Sequence, residues 1–448
     1  MTATPRSLSS LLLGASLLAF TLSGCDTMSG WFGKGDSKPL PGERIAVMTR
    51  ESKIAVDPTL AGTPLVLPAA QTNAAWPQAG GPPDHAAGHL ALAAQPAPAW
   101  RASIGSGSSG AEVLLGQPVV AGGRIYAMDA AGSVTALDEK TGSRLWSVSL
   151  RPEKERGDAP GGGVAFADGR LFASTGYGEV LALNPADGAV QWRKKVSGPV
   201  RGAPTVLGER VYALTIDNQI FALSVANGDT VWNHAGLVEA AGVLGAVSPA
   251  ASPTLVVVPY SSGEIYALRA ENGRVAWQDS LASIRRGAAL GDLADIRALP
   301  VIDRGLVLAV GHSGRMVAID ERIGARVWEQ DVGGVQTPAT AGDWVFVSTN
   351  DAEVVALDRR SGRVRWVTQL ELYKDAKEKR RPYVWAGPVV AGGRLWLAGS
   401  TGQLVALSPD TGAVVARQEL PGAAYLPPVV ANNTLYVLTD NGTLSAFR

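Results

Sequence analysis

The chain has a single cysteine in 448 residues, Cys25. No intramolecular disulfide can form, so packing alone must stabilise the fold, and any chemistry that needs a pair of thiols is excluded. A charge excess is equally absent. Forty Lys and Arg residues against forty Asp and Glu leave no net field to hold nucleic acid or an anionic bilayer. Histidine occurs four times, at 85, 89, 234 and 312, in no metal-binding constellation. His85 and His89 have i, i+4 spacing, but in "GGPPDHAAGHL" two prolines and Gly88 oppose the helix that would align them, so a loop is expected. There is no Cys-x-x-Cys-His haem motif, and "GSGSSG" at 105–110 lacks the lysine of a phosphate-binding loop and opens a strand. It reads as a join between elements.

The N-terminus carries a secretion signal. Arg6 precedes the apolar run "LSSLLLGASLLAFTL", then Leu22-Ser23-Gly24-Cys25, a stretch too short and too poorly flanked for a stable membrane span. The Leu-Ser-Gly-Cys order resembles the bacterial lipobox, which implies removal of residues 1–24 and lipid on the sulfur and amine of Cys25. An ordinary secretory signal with a chance cysteine is the alternative. Asp26 resembles the inner-membrane retention residue of enteric lipoproteins, against an expected outer-membrane destination. Residues 25–95 are rich in Gly, Pro and Ala, with "PLPGERIAVM" and "TPLVLPAAQTNAAWPQAGG" as sparse apolar islands. Most of this segment is expected to be a tether, able to span up to roughly 230 Å if fully extended. The islands could instead dock as added strands.

From residue 96 onward a repeat dominates. "ALDEKTGSRLW" recurs as "ALNPADGAVQW", "ALSVANGDTVW", "ALRAENGRVAW", "AIDERIGARVW" and "ALDRRSGRVRW"; a seventh copy, "ALSPDTGAVVA", has Ala416 in place of tryptophan, and "LSAFR" is a partial eighth. The tryptophans at 146, 192, 232, 277, 328 and 366 are 38 to 51 residues apart, the period of four-stranded blades. Short apolar runs bounded by glycine turns predict four strands per unit, with no helical periodicity between them. A lone blade cannot bury both faces, so the array predicts an all-β fold: an eight-bladed β-propeller over 96–448. The last copy lacks its fourth strand, which "APAWRASIG", with Trp100 in the repeat position, is expected to supply. Glycines 142, 188, 228, 273, 324, 362 and 412 are expected at positive φ, Asp138, Asp320 and Asp358 as acceptors of backbone N–H groups, and the tryptophans against neighbouring blades. Because each role recurs around the ring, these are structural residues.

The pattern Ala-x-Asp-x-x-Thr-Gly-x-x-x-Trp, met in full by Ala136 to Trp146, resembles the tryptophan-docking repeat of the pyrroloquinoline quinone type propellers, which include dehydrogenases and non-enzymatic relatives. Together with the lipobox, the strand "WRASIGSG" and the segment "SIRRGAALGDLADIRALPVI", it is similar to the BamB family, lipoproteins of the outer-membrane β-barrel assembly machinery. The resemblance implies a non-enzymatic scaffold without cofactor or metal, binding the POTRA domains of a BamA-like barrel subunit as a monomer within a complex. The joins at about 151–163, 234–248, 279–298 and 368–386 are long and must all emerge on one face, the candidate binding surface. Two of them hold the family's partner contacts. In the first, Ala241, Val243 and Leu244 match a family stretch of two leucines and an arginine; in the second, Asp295-Ile296-Arg297, preceded by Asp292, matches an Asp-x-Asp pair. The charged run "LYKDAKEKRRPYVW" in the last long join reads as a solvated loop. The rival classes are a quinone-dependent dehydrogenase, whose usual vicinal disulfide one cysteine cannot make, and a periplasmic ligand sensor or cell-wall scaffold using the same face.

Overall fold

The computed structural model describes residues 54–60, 62–110, 112–238, 246–282 and 295–448. The first complete repeat folds as β2 (Val119–Ala121), β3 (Arg124–Met128), β4 (Ser133–Asp138) and β5 (Arg144–Ser149), after an isolated strand β1 (Pro98–Ser103). Strands β2 to β5 pair antiparallel in sequence order. The same sheet recurs over 162–195, 205–235, 250–280, 301–330, 339–369 and 385–419. The eighth copy, 429–447, brings only three strands. Its fourth is β1, which pairs antiparallel with Thr443–Phe447 and sets Trp100 opposite Ala446. The molecule is therefore the eight-bladed propeller that the repeat predicts, closed by an N-terminal outer strand. Among the described residues the one helical element is a 3-10 turn, Pro58–Leu60.

The repeated Ala, Gly and Trp are one device. Each tryptophan lies directly opposite the alanine of the third strand: Ala136 faces Trp146, Ala182 faces Trp192, Ala222 faces Trp232. Immediately after this pair the register shifts by one residue, a bulge that twists the outer strand. The indole then reaches the glycine turn of the next blade. Gly188 has φ +78° and Gly228 φ +76°, and a Cβ on Gly228 would lie 2.7 Å from the Trp192 ring. Glycine is thus required twice over, for the left-handed backbone and for the ring above it. The indole N–H donates to a carbonyl of that same turn: Trp146 Nε1 to Pro185 O at 3.1 Å, Trp232 to Ala270 O at 3.0 Å, Trp366 to Pro409 O at 2.8 Å. Asp138, Asp320 and Asp358 accept backbone N–H groups within these turns, as expected.

The exceptional Ala416 has a structural reason. A tryptophan there would meet the end of blade eight's third strand, Thr443–Phe447, which pairs with β1 as its fourth-strand partner. The space is occupied by the chain approaching β1: Gln418 Nε2 donates to Pro96 O at 2.8 Å, and Ala97 and Arg448 exchange backbone hydrogen bonds. At the adjoining seam Arg448 Nη2 donates to Glu139 O, the carbonyl that corresponds to Pro185 O, and the Trp100 indole nitrogen is buried without a partner.

The innermost strands line the ring axis, each with one edge unpaired within its own sheet. Prolines 118, 204, 249, 300, 338 and 428 directly precede six of them, removing a donor where the sheet has no acceptor. The remaining edge is covered by a segment expected to be tether. Residues 73–90 follow the ring around one end of the axis. Asn73 O accepts from Asn432, Trp76 exchanges bonds with Val120, and Pro77 O accepts from Phe166. The Gln78 amide pairs with both backbone groups of Val206. Pro83 O then accepts from Ala251, Asp84 O from Ile302, and Leu90 exchanges bonds with Val390 and Gly392. Blades eight, one, two, three, four, five and seven are thus visited in order. Upstream, Asp57 N donates to Val364 O, and Leu65 is buried with Trp344 and Trp366. The expectation of a free tether is corrected over 54–95. Its apolar islands there cover hydrogen-bonding edges and core that would otherwise meet water, while residues 26–53 lie outside the described residues.

Two outcomes test this architecture. Gly273→Ala, which places a Cβ about 2.6 Å from Trp232 at φ +71°, is expected to lower stability by ~2 kcal/mol in denaturant titration. The second concerns His85 in the collar. It is fully buried, its Nδ1 hydrogen-bonded to Pro300 O at 2.7 Å, and burial holds its pKa down at about 4, against an unfolded value of 6.5. Between those values the unfolded chain takes up a proton that the folded one refuses. Stability is therefore fully present above pH 6.5 and falls as pH drops toward 4, by about 3 kcal/mol in all. His85→Asn, which tolerates the same positive φ, is expected to flatten that slope in urea midpoints measured across this window.

Candidate functional site

Antiparallel order sends the first and third turns of every blade to the end that the collar covers. The second turns and the joins between blades emerge at the other. The six predicted partner residues divide sharply there. Ala241, Val243, Leu244 and Asp292 lie outside the described residues. Asp295 is buried at 1% side-chain exposure and accepts a hydrogen bond from Arg201 Nη2 at 2.9 Å, Arg201 itself being 5% exposed. This carboxylate is satisfied inside the chain and presents nothing to solvent. It ties the join into blade five to the join into blade three, across the join into blade four. Arg297, two residues on, is half-buried on the wall of a cavity at the ring axis.

The cavity holds about 430 Å³ and is lined from several blades by the residues that lead into the inner strands. Arg201 and Arg297 occupy equivalent places, three residues before Pro204 and Pro300. Burial pushes the Arg297 guanidinium below its ordinary range; the nearby Asp295 charge opposes this and the like charge of Arg201 adds to it. Two glutamines also line the cavity, with their side-chain oxygens engaged: Gln117 accepts from Gly80 N at 2.8 Å and Gln336 from Gly387 N at 3.3 Å.

The outer rim has a different character. Ile216, in the second turn of blade three, is 56% exposed, and Leu237 and Val238, opening the join after Trp232, are 63% and 73% exposed. Asn218, two residues after Ile216, holds the start of this join, its Nδ2 donating to Leu237 O at 2.5 Å and to Ser261 Oγ at 2.8 Å. Sequence reading passed over these three residues, although two directly precede the predicted contacts 241–244. Behind them His234 Nδ1 lies 2.9 Å from the Tyr260 hydroxyl, and its ring packs on Tyr266. Burial lowers the His234 pKa and raises that of Tyr260. The run 372–385 forms an exposed hairpin, Tyr373–Asp375 against Arg380–Pro382, rather than an irregular loop. The run at 105–110 joins β1 to the first blade, as expected.

A quinone and its metal at the axis need converging acidic ligands. Among the described residues no three His, Cys, Asp or Glu side chains converge. The carboxylates near the axis are already engaged by other groups, Asp295 by Arg201 and Asp440 as acceptor from the Ser108 hydroxyl at 2.5 Å.

Eight blades joined by tryptophan on glycine define a propeller of the pyrroloquinoline quinone-like repeat class. Within it, a family model described as outer membrane protein assembly factor BamB matches residues 89–157, 130–368 and 374–448. The chain belongs to the BamB family. A relative named outer membrane protein assembly factor BamB, from Yersinia pestis, is 26% identical over 358 residues, 79% of this chain and 88% of the relative. The crystal structure of BamB from Moraxella catarrhalis superposes with a TM-score of 0.66 at 22% identity, covering 78% of this chain and 100% of that one. A quinohemoprotein alcohol dehydrogenase from Comamonas testosteroni reaches the same TM-score at 15% identity, over 84% of this chain and 81% of its own. That likeness is one of fold.

The Arg201–Asp295 pair gives a test of how the joins are held. Arg201→Met removes the buried cation that donates to the Asp295 carboxylate and is expected to cost ~3 kcal/mol in denaturant titration. The double change R201M/D295N is expected to cost less than the sum of the single changes.

Proposed function

We propose that this chain is a non-enzymatic scaffold of outer-membrane β-barrel assembly, anchored by lipid on Cys25 at the periplasmic face of the outer membrane. Its join face binds the POTRA domains of a BamA-like barrel subunit. Membership of the BamB family supports the assembly role. The observation that carries the choice of surface is the exposed apolar cluster of Ile216, Leu237 and Val238. Leu237 and Val238 are adjacent in sequence, and Asn218, two residues after Ile216, is bonded to Leu237 O; exposed apolar residues grouped in this way suit a partner surface. They stand beside the join that contains Ala241, Val243 and Leu244, the matched contact positions, with Asp292 in the next long join. Asp295 serves this surface from beneath, by fixing the joins, and Arg297 faces the axis.

The reading also explains why the opposite end is unsuited to a partner. There the inner-strand edges of seven blades are already hydrogen-bonded to the collar, which leaves them little free backbone for strand addition.

Photocrosslinkers placed at Val238 and Asp292 are expected to capture a POTRA-containing barrel protein in membranes, and the double change L237D/V238D to reduce that yield about tenfold or more. Capture of unrelated proteins alone, or an undiminished yield from the double variant, overturns the assignment. In the same membranes a Cys25→Ser chain is expected in the soluble periplasmic fraction.

A further inference from the structure

The axial cavity presents hydrogen-bond donors to its interior. A backbone N–H can only donate, so the contacts from Gly80 and Gly387 fix the Gln117 and Gln336 amides with their oxygens turned to the backbone. Their NH₂ groups have no acceptor among the described residues. Arg297, half-buried on the same wall, makes no hydrogen bond among the described residues, and the Asp295 carboxylate near it already accepts from Arg201. A partly buried guanidinium whose nearest carboxylate is shared with a second arginine keeps donors free for a further anion. Partial burial outweighs that shared carboxylate and lowers the Arg297 pKa.

The rest of the lining is largely apolar: Leu114, Leu115, Leu299, Val335 and Leu426, with the Tyr425 ring. Asp440 also lines the cavity, but it belongs to the eighth blade, well round the ring from Arg297 in the lead to the fifth, and it already accepts from Ser108. A volume of about 430 Å³ falls within the range of small-molecule sites.

We propose that this axial cavity binds an apolar carboxylate, with the carboxylate on Arg297 and the hydrocarbon body against Leu299, Val335 and Leu426. The site stands apart from the rim cluster proposed to meet the barrel subunit, and its existence does not depend on that reading. Its ligand is either a free small acid or the C-terminus of a peptide ending in an apolar residue, since both present the same two groups.

The test uses the full mature chain in calorimetric titrations, with N-acetyl-leucine, N-acetyl-leucine amide, and a hexapeptide ending in leucine with a free or an amidated C-terminus. The acid forms are expected to bind at least about tenfold more tightly than the amides. Arg297→Gln removes that preference, Arg297→Lys keeps part of it, and Val335→Trp, which fills the cavity, abolishes binding. Circular dichroism melts show that each variant is folded. Tighter binding of the peptide than of N-acetyl-leucine assigns the site to chain termini, and equal binding assigns it to small acids; either supports the proposal. Equal affinity for acid and amide, wild-type affinity in R297Q, or no binding of any acid at roughly millimolar concentration overturns it. Crosslinking through Val238 is read separately, so failure of one assignment leaves the other standing.

Discussion

An indole resting on a glycine of the next blade is the contact on which this molecule depends. It requires an alanine opposite the tryptophan, because a larger residue there would lift the ring, and a bulge one step later to turn the outer strand. The glycine must adopt a positive φ and carry no Cβ, because the ring fills the space a Cβ would take. Each demand is local, and each is met within eleven residues, from the alanine to the tryptophan. Repetition converts it into a ring, since a blade docked on its neighbour by the same geometry leaves the next blade one rotation further around the axis.

Locality also decides what could be read in advance. The blades, their number, the turn glycines, the acceptor aspartates and the closing strand were legible because they recur at a fixed period. The collar was not. Its backbone bonds reach inner strands far away in sequence, Asn73 to Asn432 and Asp84 to Ile302, and a chain without periodicity carries no sign of such partners. Gly and Pro there signal the absence of helix and strand, which sequence reading took for freedom. Asp295 was misplaced for a related reason. A carboxylate in a long join reads as exposed, and its partner Arg201, 94 residues away, is invisible to any local pattern. Leu237 and Val238 were passed over because an apolar pair after a strand looks like the end of a core strand until its exposure is seen.

The two ends of the ring are chemically unlike, and the difference follows from strand order. At one end the short first turns bring the inner-strand edges within reach of the collar, which takes up their hydrogen bonds. At the other, the joins are long enough to carry side chains of their own: a buried ion pair beneath, an apolar cluster at the rim, and a donor-rich hollow at the axis. A scaffold needs this division, with the inner edges of seven blades hydrogen-bonded at one end and side-chain variety gathered at the other.

The closing strand imposes an order in time. β1 lies near the beginning of the chain and its partner, Thr443–Phe447, at the very end. Because β1 precedes seven complete blades and its partner follows them, a chain made N-terminus first carries an unpaired strand through the appearance of those seven blades. The collar shares this wait, because Asn73 must meet Asn432. Assembly of the ring is thus a late, non-local event. Until the ring closes, the edges of β1 and of the first blades are the surfaces most open to wrong pairing.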